Sequence, residues 1–220
     1  MRDCVFLVAD SHMETVFKTF LGLPHRHEKL GTASFSFNAE SDLVLAGNDP
    51  AVYRNGPSLI HGHQRTHRHA VLVLDFQFEH EKKPDEMIAE LTSAMVSSGW
   101  DAARFQIVLI QPELEAWLWQ DNPNIEKVFF RNLNPMEKAK APSSLRQWLC
   151  DQRLWPTECV KPPDPKKAMQ KAADTFRAGS QMAVFTEVFR NISVHGCQDE
   201  AFHTLRDALR RWFPRSGSTQ

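Results

Sequence analysis

The sequence has few cysteines, and no two of them are close together in the chain. Its four cysteines are widely scattered over 220 residues and form no Cys-x-x-Cys motif: Cys4, Cys150, Cys159 and Cys197. A zinc ribbon needs such motifs, and a disulfide-stapled secreted scaffold needs a dense cysteine framework, so the sequence argues against both classes. We therefore expect reduced thiols and a cytoplasmic protein.

Long apolar runs are also missing. No segment approaches the stretch of about 20 apolar residues that a membrane-spanning helix needs. The first apolar run, residues 4–9, is too short for the core of a signal peptide. We therefore expect a protein with no membrane partner.

A charge excess of either sign is nearly absent, since 26 Lys and Arg residues stand against 27 Asp and Glu residues. This balance gives no global attraction to nucleic acid, so any polyanion has to meet a local basic patch. Neither internal repeats nor low-complexity blocks are evident. With 42% hydrophobic and 24% charged residues, the composition is that of a globular protein with a sizeable core.

Continuous apolar runs alternate with amphipathic segments in the first half of the chain. The runs at residues 4–9, 70–74 and 105–110 predict buried strands, and a helical pattern follows each of them. Residues 32–38 alternate as a half-buried strand does, and the Asp-Pro pair at residues 49–50 suits the start of a short helix. We expect loops and short helices in this region. Continuous strands joined by helices predict an α/β fold, with a parallel sheet and helices on both of its faces.

After about residue 120 the sequence shows no convincing strand pattern. Helices are predicted near residues 124–131, 143–151, 165–178, 180–192 and 199–212. We therefore predict an α/β domain over residues 1–121 and an all-helical C-terminal part over residues 122–215, packed on that domain. Residues 216–220 are predicted to be a disordered tail.

Acidic residues follow each of the three predicted buried strands: Asp10, Asp75, and the pair Glu113 and Glu115. Ligands collect at the carboxyl ends of parallel strands because loops and helix N-termini converge there. Carboxylates that converge in this way can hold one or two Mg²⁺ ions. The alternative is that these residues cap helices or complement helix dipoles.

The two glutamates after the last strand differ in their expected roles. Glu113 and Glu115 are two residues apart and cannot share a helix face, so we expect Glu113 to support a helix start. Glu115 lies between apolar neighbours and faces either the crevice or an apolar surround, where an unpaired carboxylate is costly. Glu115 is therefore the stronger candidate for a functional role.

The order of strands and helices, together with "ELEAWLW" at residues 113–119, resembles the Toprim-like families related to the overcoming-lysogenization-defect nucleases. The segments "DPKKAMQK" at 164–171 and "AFHTLRDAL" at 201–209 are similar to the helical C-terminal part of such proteins, so the resemblance spans most of the chain. It implies a component of prokaryotic antiphage defence, of the methylation-associated kind, with other defence proteins as partners.

The resemblance also implies a chemistry. In this hypothesis Asp10, Asp75 and Glu115 hold Mg²⁺ or Mn²⁺ for phosphodiester hydrolysis or nucleic-acid binding. Asp75, Glu115 and Lys166 would be the catalytic residues, with Lys166 offsetting charge in the transition state.

Two positions depart from the Toprim pattern of a glutamate after the first strand and Asp-x-Asp after the third. Ala9 stands where the glutamate is expected, and Gln77 replaces the second aspartate. Fewer carboxylates mean weaker binding of a divalent ion. The alternative function is therefore a non-catalytic interaction subunit with a degenerate Toprim site, which binds partner proteins through its tryptophan-rich helices.

Four histidines precede Asp75: His61, His63, His67 and His69. The spacing of two puts each pair on one side of an extended backbone, where imidazoles can bind Zn²⁺ or a similar ion. Neither cysteine nor carboxylate lies at a standard ligand spacing, so a solvated, partly basic loop beside the crevice is the other interpretation.

Residues 161–177 and 206–215 have a local surplus of positive charge. Within them, the candidates for contact with nucleic acid or phosphate are Lys166, Lys167, Arg210 and Arg211. A solvated helix face is the alternative. The six tryptophans are expected to be core or interface anchors rather than base-stacking platforms. A homodimer is a further partner that the sequence leaves open.

Overall fold

The computed structural model describes residues 1–79, 81–120, 122–191 and 197–215. The chain divides into two compact units: Met1–Pro112 together with Asp199–Gln220 form the first, and Glu113–Gln198 form the second. This division differs from the boundary predicted at residue 121, because the last helix belongs with the sheet of the first unit. The predicted tail at residues 216–220 lies outside the described residues.

The first unit contains a sheet of four parallel strands in the order β2-β1-β3-β4. The strands are β1 (Arg2–Val8), β2 (Leu43–Leu45), β3 (His67–Asp75) and β4 (Phe105–Ile110). The central residues of β1, β3 and β4 are buried, as expected of a parallel sheet covered on both faces. The predicted α/β fold with a parallel sheet is therefore confirmed.

The helices of the described residues follow in chain order. Those before β4 are α1 (Ser11–Leu21), α2 (Arg26–Leu30), α3 (Ala39–Asp42), α4 (Asp49–Leu59) and α5 (Pro84–Ser97). Those of the second unit are α6 (Pro123–Phe130), α7 (Pro135–Lys140), α8 (Leu145–Asp151), α9 (Pro165–Phe176) and α10 (Gln181–Asn191). The last helix is α11 (Glu200–Trp212), in the first unit. Every helix among the described residues is too short or too polar to cross a membrane.

Helices cover both faces of the sheet. Phe6 packs against Phe17 of α1, with 5.6 Å between ring centroids. On the other face, α4 approaches so closely that a methyl group at Gly56 would lie 3.2 Å from Cδ2 of Leu7. Because successive side chains of a strand point to opposite faces, Phe6 and Leu7 place α1 and α4 on opposite sides.

The last helix returns to the sheet through specific contacts. The indole Nε1 of Trp212 donates to the carbonyl oxygen of Ala103 at 3.0 Å, just before β4. The Trp212 ring also stacks on the His69 ring, 4.4 Å away. Phe202 meets Phe20 of α1 edge to face at 6.3 Å. These contacts explain why α11 belongs to the first unit, although its sequence follows the helical half.

The strand-like alternation at residues 32–38 does not produce a strand, because this segment is not part of the sheet. It lies between the short helices α2 and α3, as expected of a region of loops and short helices. Its backbone amides bond elsewhere: Ser36 N–H donates to Oδ2 of Asp3 at 2.7 Å, and Ala33 N–H donates to the Phe213 carbonyl at 2.8 Å. The edge position beside β1 is instead taken by the three-residue strand β2.

Helices form the described part of the second unit. The helices predicted near 124–131, 143–151, 165–178 and 180–192 correspond to α6, α8, α9 and α10, whereas α7 was not predicted. The "ELEAWLW" segment forms a 3₁₀-helix at Leu114–Trp117 rather than an α-helix.

Two tryptophans anchor the core of the second unit. Trp119 stacks on Phe129 at 5.8 Å and meets Trp155 edge to face at 5.5 Å. Its indole N–H donates to the carbonyl oxygen of Pro165 at 3.0 Å. Both Trp119 and Trp155 are buried, which confirms the prediction of core anchors for these two.

Candidate functional site

The order of the strands creates a switch point in the sheet of the first unit. From β1 the chain continues to β2 on one side, and from β2 it crosses to β3 on the other side of β1. The connections after β1 and β3 therefore diverge, and open parallel sheets bind ligands in the crevice at such a point. The position of this crevice follows from the topology alone.

The structure brings Asp10 and Asp75 to this crevice. Val8, the last residue of β1, pairs with Val73, so the two neighbouring strands end at the same edge. Asp10 and Asp75 each lie two residues beyond these partners. We call these two aspartates, together with the Asp49 described below, the switch-point edge.

Asp10 caps helix α1. Its Oδ1 accepts hydrogen bonds from the backbone N–H groups of His12 and Met13, both at 2.9 Å. The capping role that the sequence left open is therefore confirmed for Asp10. Both bonds use Oδ1, so Oδ2 takes no part in the cap and can bind a further ligand.

A third aspartate, Asp49, lies against Asp75. Its Oδ1 accepts the backbone N–H of Asp75 at 2.7 Å, a bond that fixes the backbone where β3 ends. Asp49 is the first residue of α4, which Asn48 caps. Sequence reasoning found the helix start here but missed the contact, because 26 residues separate the two aspartates.

The two departures from the Toprim pattern have different surroundings. Ala9 is completely buried, so a carboxylate in its place would lose its hydration. Gln77 is exposed, and its backbone N–H donates to the Pro112 carbonyl at 3.0 Å. An acid is thus disfavoured at position 9 by the core and could be accommodated at position 77.

The donor set of the switch-point edge suits Mg²⁺ bound together with a ligand. Across residues 1–79, 81–120, 122–191 and 197–215, no group of three His, Cys, Asp or Glu side chains could hold a metal ion. Mg²⁺, however, commonly keeps several waters and binds through one or two carboxylates plus substrate phosphates. Asp10 and Asp75 provide such a pair of hard oxygen donors.

Glu115 belongs to the second unit, so the predicted set of Asp10, Asp75 and Glu115 is divided between the two units. Its side chain is only 3% exposed. The side-chain amide of Gln181 on α10 donates a hydrogen bond to Oε1 of Glu115. Burial of the Glu115 carboxylate is therefore compensated inside the second unit, as a buried charge requires.

The prediction that Glu113 supports the start of the helix that follows it is wrong, because its side chain forms no cap bond there and contacts the start of α9 instead. Its Oε1 accepts the backbone N–H of Lys166 at 3.0 Å, across 53 residues of sequence. Burial raises the pKa of Glu113, and the N–H of Lys166 partly opposes that rise. Glu113 therefore ties the segment after β4 to the first turn of α9.

Lys166 and Lys167 both have exposed side chains in that first turn. Asp164 caps the helix by accepting the backbone N–H of Lys167 at 2.9 Å. Cations are disfavoured at a helix N-terminus because the helix dipole is positive there. Two lysines in this place are unfavourable for α9 alone and remain the predicted phosphate contacts.

The arginines near the C-terminal end of α11 have structural contacts. Arg210 Nε donates to the carbonyl of Leu30 at 2.8 Å, and Arg215 Nε donates to the carbonyl of Thr32 at 3.2 Å. These bonds satisfy carbonyls at and just after the end of α2. Arg211 reaches Oε1 of Gln106 at 3.4 Å. The positive charge predicted to contact nucleic acid thus serves internal packing, at least through Arg210.

The first pair of histidines does not have the expected backbone. Residues His61–Arg65 form a 3₁₀-helix, so a spacing of two does not place His61 and His63 on one side. The Nδ1 atom of His61 lies 3.1 Å from the carbonyl oxygen of Ser98. The geometric argument for a metal pair therefore fails at these two positions.

His67 is a buried residue of a polar cluster at the amino end of β3. Its Nε2 lies 3.1 Å from Oδ1 of Asp42, and its Nδ1 lies 2.9 Å from the hydroxyl of Thr66. Arg2 contacts the same carboxylate, with 2.9 Å between its terminal nitrogen and Oδ2. We call Arg2, Asp42 and His67 the amino-end cluster.

His69 is enclosed by aromatic and basic neighbours. Besides stacking on Trp212, its ring meets Phe213 edge to face at 5.6 Å. Burial, together with the positive charges of Arg104 and Arg68, lowers the pKa of His69 to about 4. At neutral pH His69 is therefore an uncharged packing residue.

The switch-point edge is the feature of the first unit that best suits a ligand, because its aspartates follow strand ends at the point where the topology predicts a crevice. In a comparison with known proteins, no family model, curated protein or solved structure matches the chain.

Proposed function

We propose that this protein is a cytoplasmic, Toprim-like component of prokaryotic antiphage defence that binds nucleic acid with Mg²⁺ or Mn²⁺ at the switch-point edge. The observation that supports this proposal is the position of Asp10 and Asp75 at the carboxyl ends of the neighbouring strands β1 and β3, where the strand order reverses. Other defence proteins are the expected partners.

In this proposal each residue of the switch-point edge has a distinct task. Asp10 is oriented by two N–H groups of α1 and offers Oδ2 to the ion. Asp75 offers its carboxylate from a backbone that Asp49 holds in place. When bound, the ion supplies charge neutralisation and polarisation of phosphate oxygens. The affinity for the ion alone is low, because only two carboxylates hold it.

Lys166 and Lys167 would contact the nucleic-acid backbone from the second unit. Their exposed ammonium groups, beside the positive end of α9, favour an anion. Hydrolysis of a phosphodiester is the stronger form of the proposal, with Asp75 as the catalytic residue of the switch-point edge. Nucleic-acid binding without cleavage is the weaker form.

Binding of labelled DNA and RNA oligonucleotides to the full chain, with Mg²⁺ or with a chelator, tests both forms. We expect binding that requires the divalent ion and is lost in Asp75→Asn and Asp10→Asn. Asparagine is as good an N-cap as aspartate, so Asp10→Asn removes the charge without removing the cap of α1.

The matched control is Asp101→Asn. Asp101 caps a short 3₁₀-helix at the opposite, amino-terminal edge of the sheet, where it accepts the N–H of Ala103 at 2.8 Å. Its substitution makes the same chemical change away from the crevice. An affinity for oligonucleotides that does not depend on the divalent ion, or that falls equally in Asp101→Asn, would overturn the proposal. Cleavage of the same oligonucleotides separates hydrolysis from binding.

The second candidate is a non-catalytic interaction subunit with a degenerate site. Buried Ala9, exposed Gln77 and the capping role of Asp10 favour it, because they leave few carboxylates for catalysis. A phage-protection assay distinguishes the two candidates. If Asp75→Ala combined with Glu115→Ala keeps protection, while surface changes in α6–α10 abolish it, the interaction subunit is the correct function.

A further inference from the structure

A cavity of about 500 Å³ lies within the second unit, beside the N-terminal ends of α6 and α8. Ligand pockets of small molecules measure about 300–1,000 Å³ and combine aromatic walls with a few polar groups. This cavity has both kinds of wall, since Trp119 and Trp155 share it with amide, carboxylate and cationic side chains. It contains no residue of the switch-point edge.

Three contacts orient Arg146 at this cavity. Its guanidinium carbon lies 4.3 Å from the centroid of the Trp155 ring, in a cation–π contact. One terminal nitrogen donates to the carbonyl oxygens of Thr157 and Cys159, at 3.4 Å and 3.0 Å. Stacking and hydrogen bonding together fix the plane of the guanidinium before any ligand arrives.

The remaining donors of Arg146 are suited to an anion. Its Nε and second terminal nitrogen take no part in the bonds to Thr157 and Cys159. Among the described residues, no carboxylate forms an ion pair with Arg146. Lys161 adds a second positive charge to the wall of the cavity. Each of these remaining N–H groups can donate a charge-assisted hydrogen bond to a phosphate or carboxylate oxygen.

Gln120 provides a polar group of a different kind. Its Nε2 donates to the carbonyl of Trp117 at 3.0 Å, which fixes the amide. Its Oε1 is buried and accepts no hydrogen bond from the described part of the chain. A buried acceptor without a donor is costly, and a ligand N–H would remove that cost.

Glu126 completes the polar wall. Its Oε1 accepts the backbone N–H of Leu145 at 2.7 Å, which links α6 to the start of α8. The second carboxylate oxygen takes no part in that bond and can accept a ligand hydroxyl. The cavity therefore offers anion donors, a buried acceptor for an N–H, and an acceptor for a hydroxyl.

We propose that this cavity binds a nucleotide. Its phosphate accepts hydrogen bonds from Arg146 and lies near Lys161, an N–H of its base donates to Oε1 of Gln120, and a sugar hydroxyl donates to Glu126. A nucleotide combines these three chemistries in one molecule of suitable size. The site goes beyond nucleic-acid binding at the switch-point edge and does not depend on a metal ion there.

Titration of the full chain with ATP, GTP, CTP and UTP, followed by calorimetry and tryptophan fluorescence, tests the proposal. Inorganic pyrophosphate serves as the probe that has phosphates but no base. We expect at least one nucleotide to bind at least about tenfold more tightly than pyrophosphate, since the base adds a hydrogen bond and buried area. No binding of any nucleotide, or equal binding of pyrophosphate, would overturn the site.

Variants locate the binding. Arg146→Ala is expected to weaken nucleotide binding about tenfold or more, because it removes the charge-assisted hydrogen bonds to the phosphate. Arg54→Ala, an exposed arginine of α4 in the first unit, is the matched control and is expected to change nothing. Equal effects of the two changes would contradict the assignment.

A second variant keeps the test decisive if Arg146→Ala disturbs the loop that it holds. Gln120→Leu removes the acceptor for the base, so we expect weaker nucleotide binding and unchanged pyrophosphate binding. An unchanged nucleotide affinity in Gln120→Leu would refute recognition of the base. Competition by oligonucleotides but not by mononucleotides would show a strand-binding surface instead and would equally refute the nucleotide site.

Discussion

Ionisable side chains lie at both ends of β3, but their burial and their contacts differ. At the amino end, His67 and Asp42 are almost fully buried and bond to each other, and Arg2 shares the same carboxylate. At the carboxyl end, Asp75 is only partly buried, and it lies at the same edge of the sheet as Asp10, where the strand order reverses. One strand thus begins in a structural cluster and ends at a candidate ligand site.

The difference shows why residue type alone does not mark a site. The histidines are the more conspicuous feature of the sequence, yet His67 is engaged by Asp42 and His69 by Trp212. Removing one partner of a buried charged pair is strongly destabilising, so these groups have a structural role. Carboxylates that follow strand ends at a switch point lie where a ligand binds in open parallel sheets. Four changes test this contrast between the two ends of the strand.

The largest effect on stability is expected at the amino end. Asp42→Ala should lower the free energy of unfolding by about 3 kcal/mol, because it leaves a buried histidine and an arginine without their shared partner. Urea unfolding measures the change. Asp101→Ala removes an exposed cap and should cost no more than about 1 kcal/mol. Equal losses in the two variants would contradict the structural role of the amino-end cluster.

At the carboxyl end, we expect a substitution to change binding strongly and stability only slightly. Asp75→Asn is expected to weaken Mg²⁺-dependent binding of oligonucleotides at least about tenfold while changing stability by less than about 1 kcal/mol. Fluorescence anisotropy and urea unfolding measure the two quantities on the same samples. A variant that unfolds more readily but still binds would place Asp75 among the structural residues.

Stability should fall as the pH is lowered from about 6.5 towards 4. The pKa of His69 is lowered to about 4 by burial and by Arg104 and Arg68, so in this window the unfolded chain binds a proton that the folded chain does not. Unfolding should therefore become easier as the pH falls. His69→Phe keeps an aromatic ring against Trp212 without a titrating group and should flatten the pH profile. An unchanged slope would show that His69 does not titrate in this way.

The ionisation of Asp42 affects stability at a lower pH than that of His69. Burial raises the pKa of its carboxyl, but hydrogen bonds from Arg2, the Asn38 N–H and His67 outweigh it and lower the pKa below its ordinary value. Its contribution to stability is present above that ordinary value and is lost as the pH falls through the folded-state pKa. The His69 and Asp42 effects therefore occupy separate pH windows.

The smallest effect on stability is expected for Asp10→Asn. The amide oxygen of asparagine can accept the N–H groups of His12 and Met13, so the melting temperature should hardly change. Asp10→Ala loses the cap and should cost about 1 kcal/mol. Both variants should nevertheless lose ion-dependent binding. Loss of binding in Asp10→Ala alone would make Asp10 only a cap.

Much of this contrast could be predicted from the sequence, and the rest depended on contacts between distant residues. The strand ending at Asp75 was predictable because buried parallel strands are continuous apolar runs. Strand β2 was not, because three residues carry no pattern. Local sequence patterns do not predict two of the hydrogen bonds, because each joins residues far apart in the chain: the bond from Asp75 to Asp49 and the bond from Lys166 to Glu113.

The most direct test of the account is a crystal of the full chain grown with a short oligonucleotide and soaked in Mn²⁺. The account predicts an anomalous scattering peak in contact with carboxylate oxygens of both Asp10 and Asp75, with a phosphate oxygen completing its coordination. A bound oligonucleotide with no peak at these two residues, or a peak at the histidines instead, would contradict it.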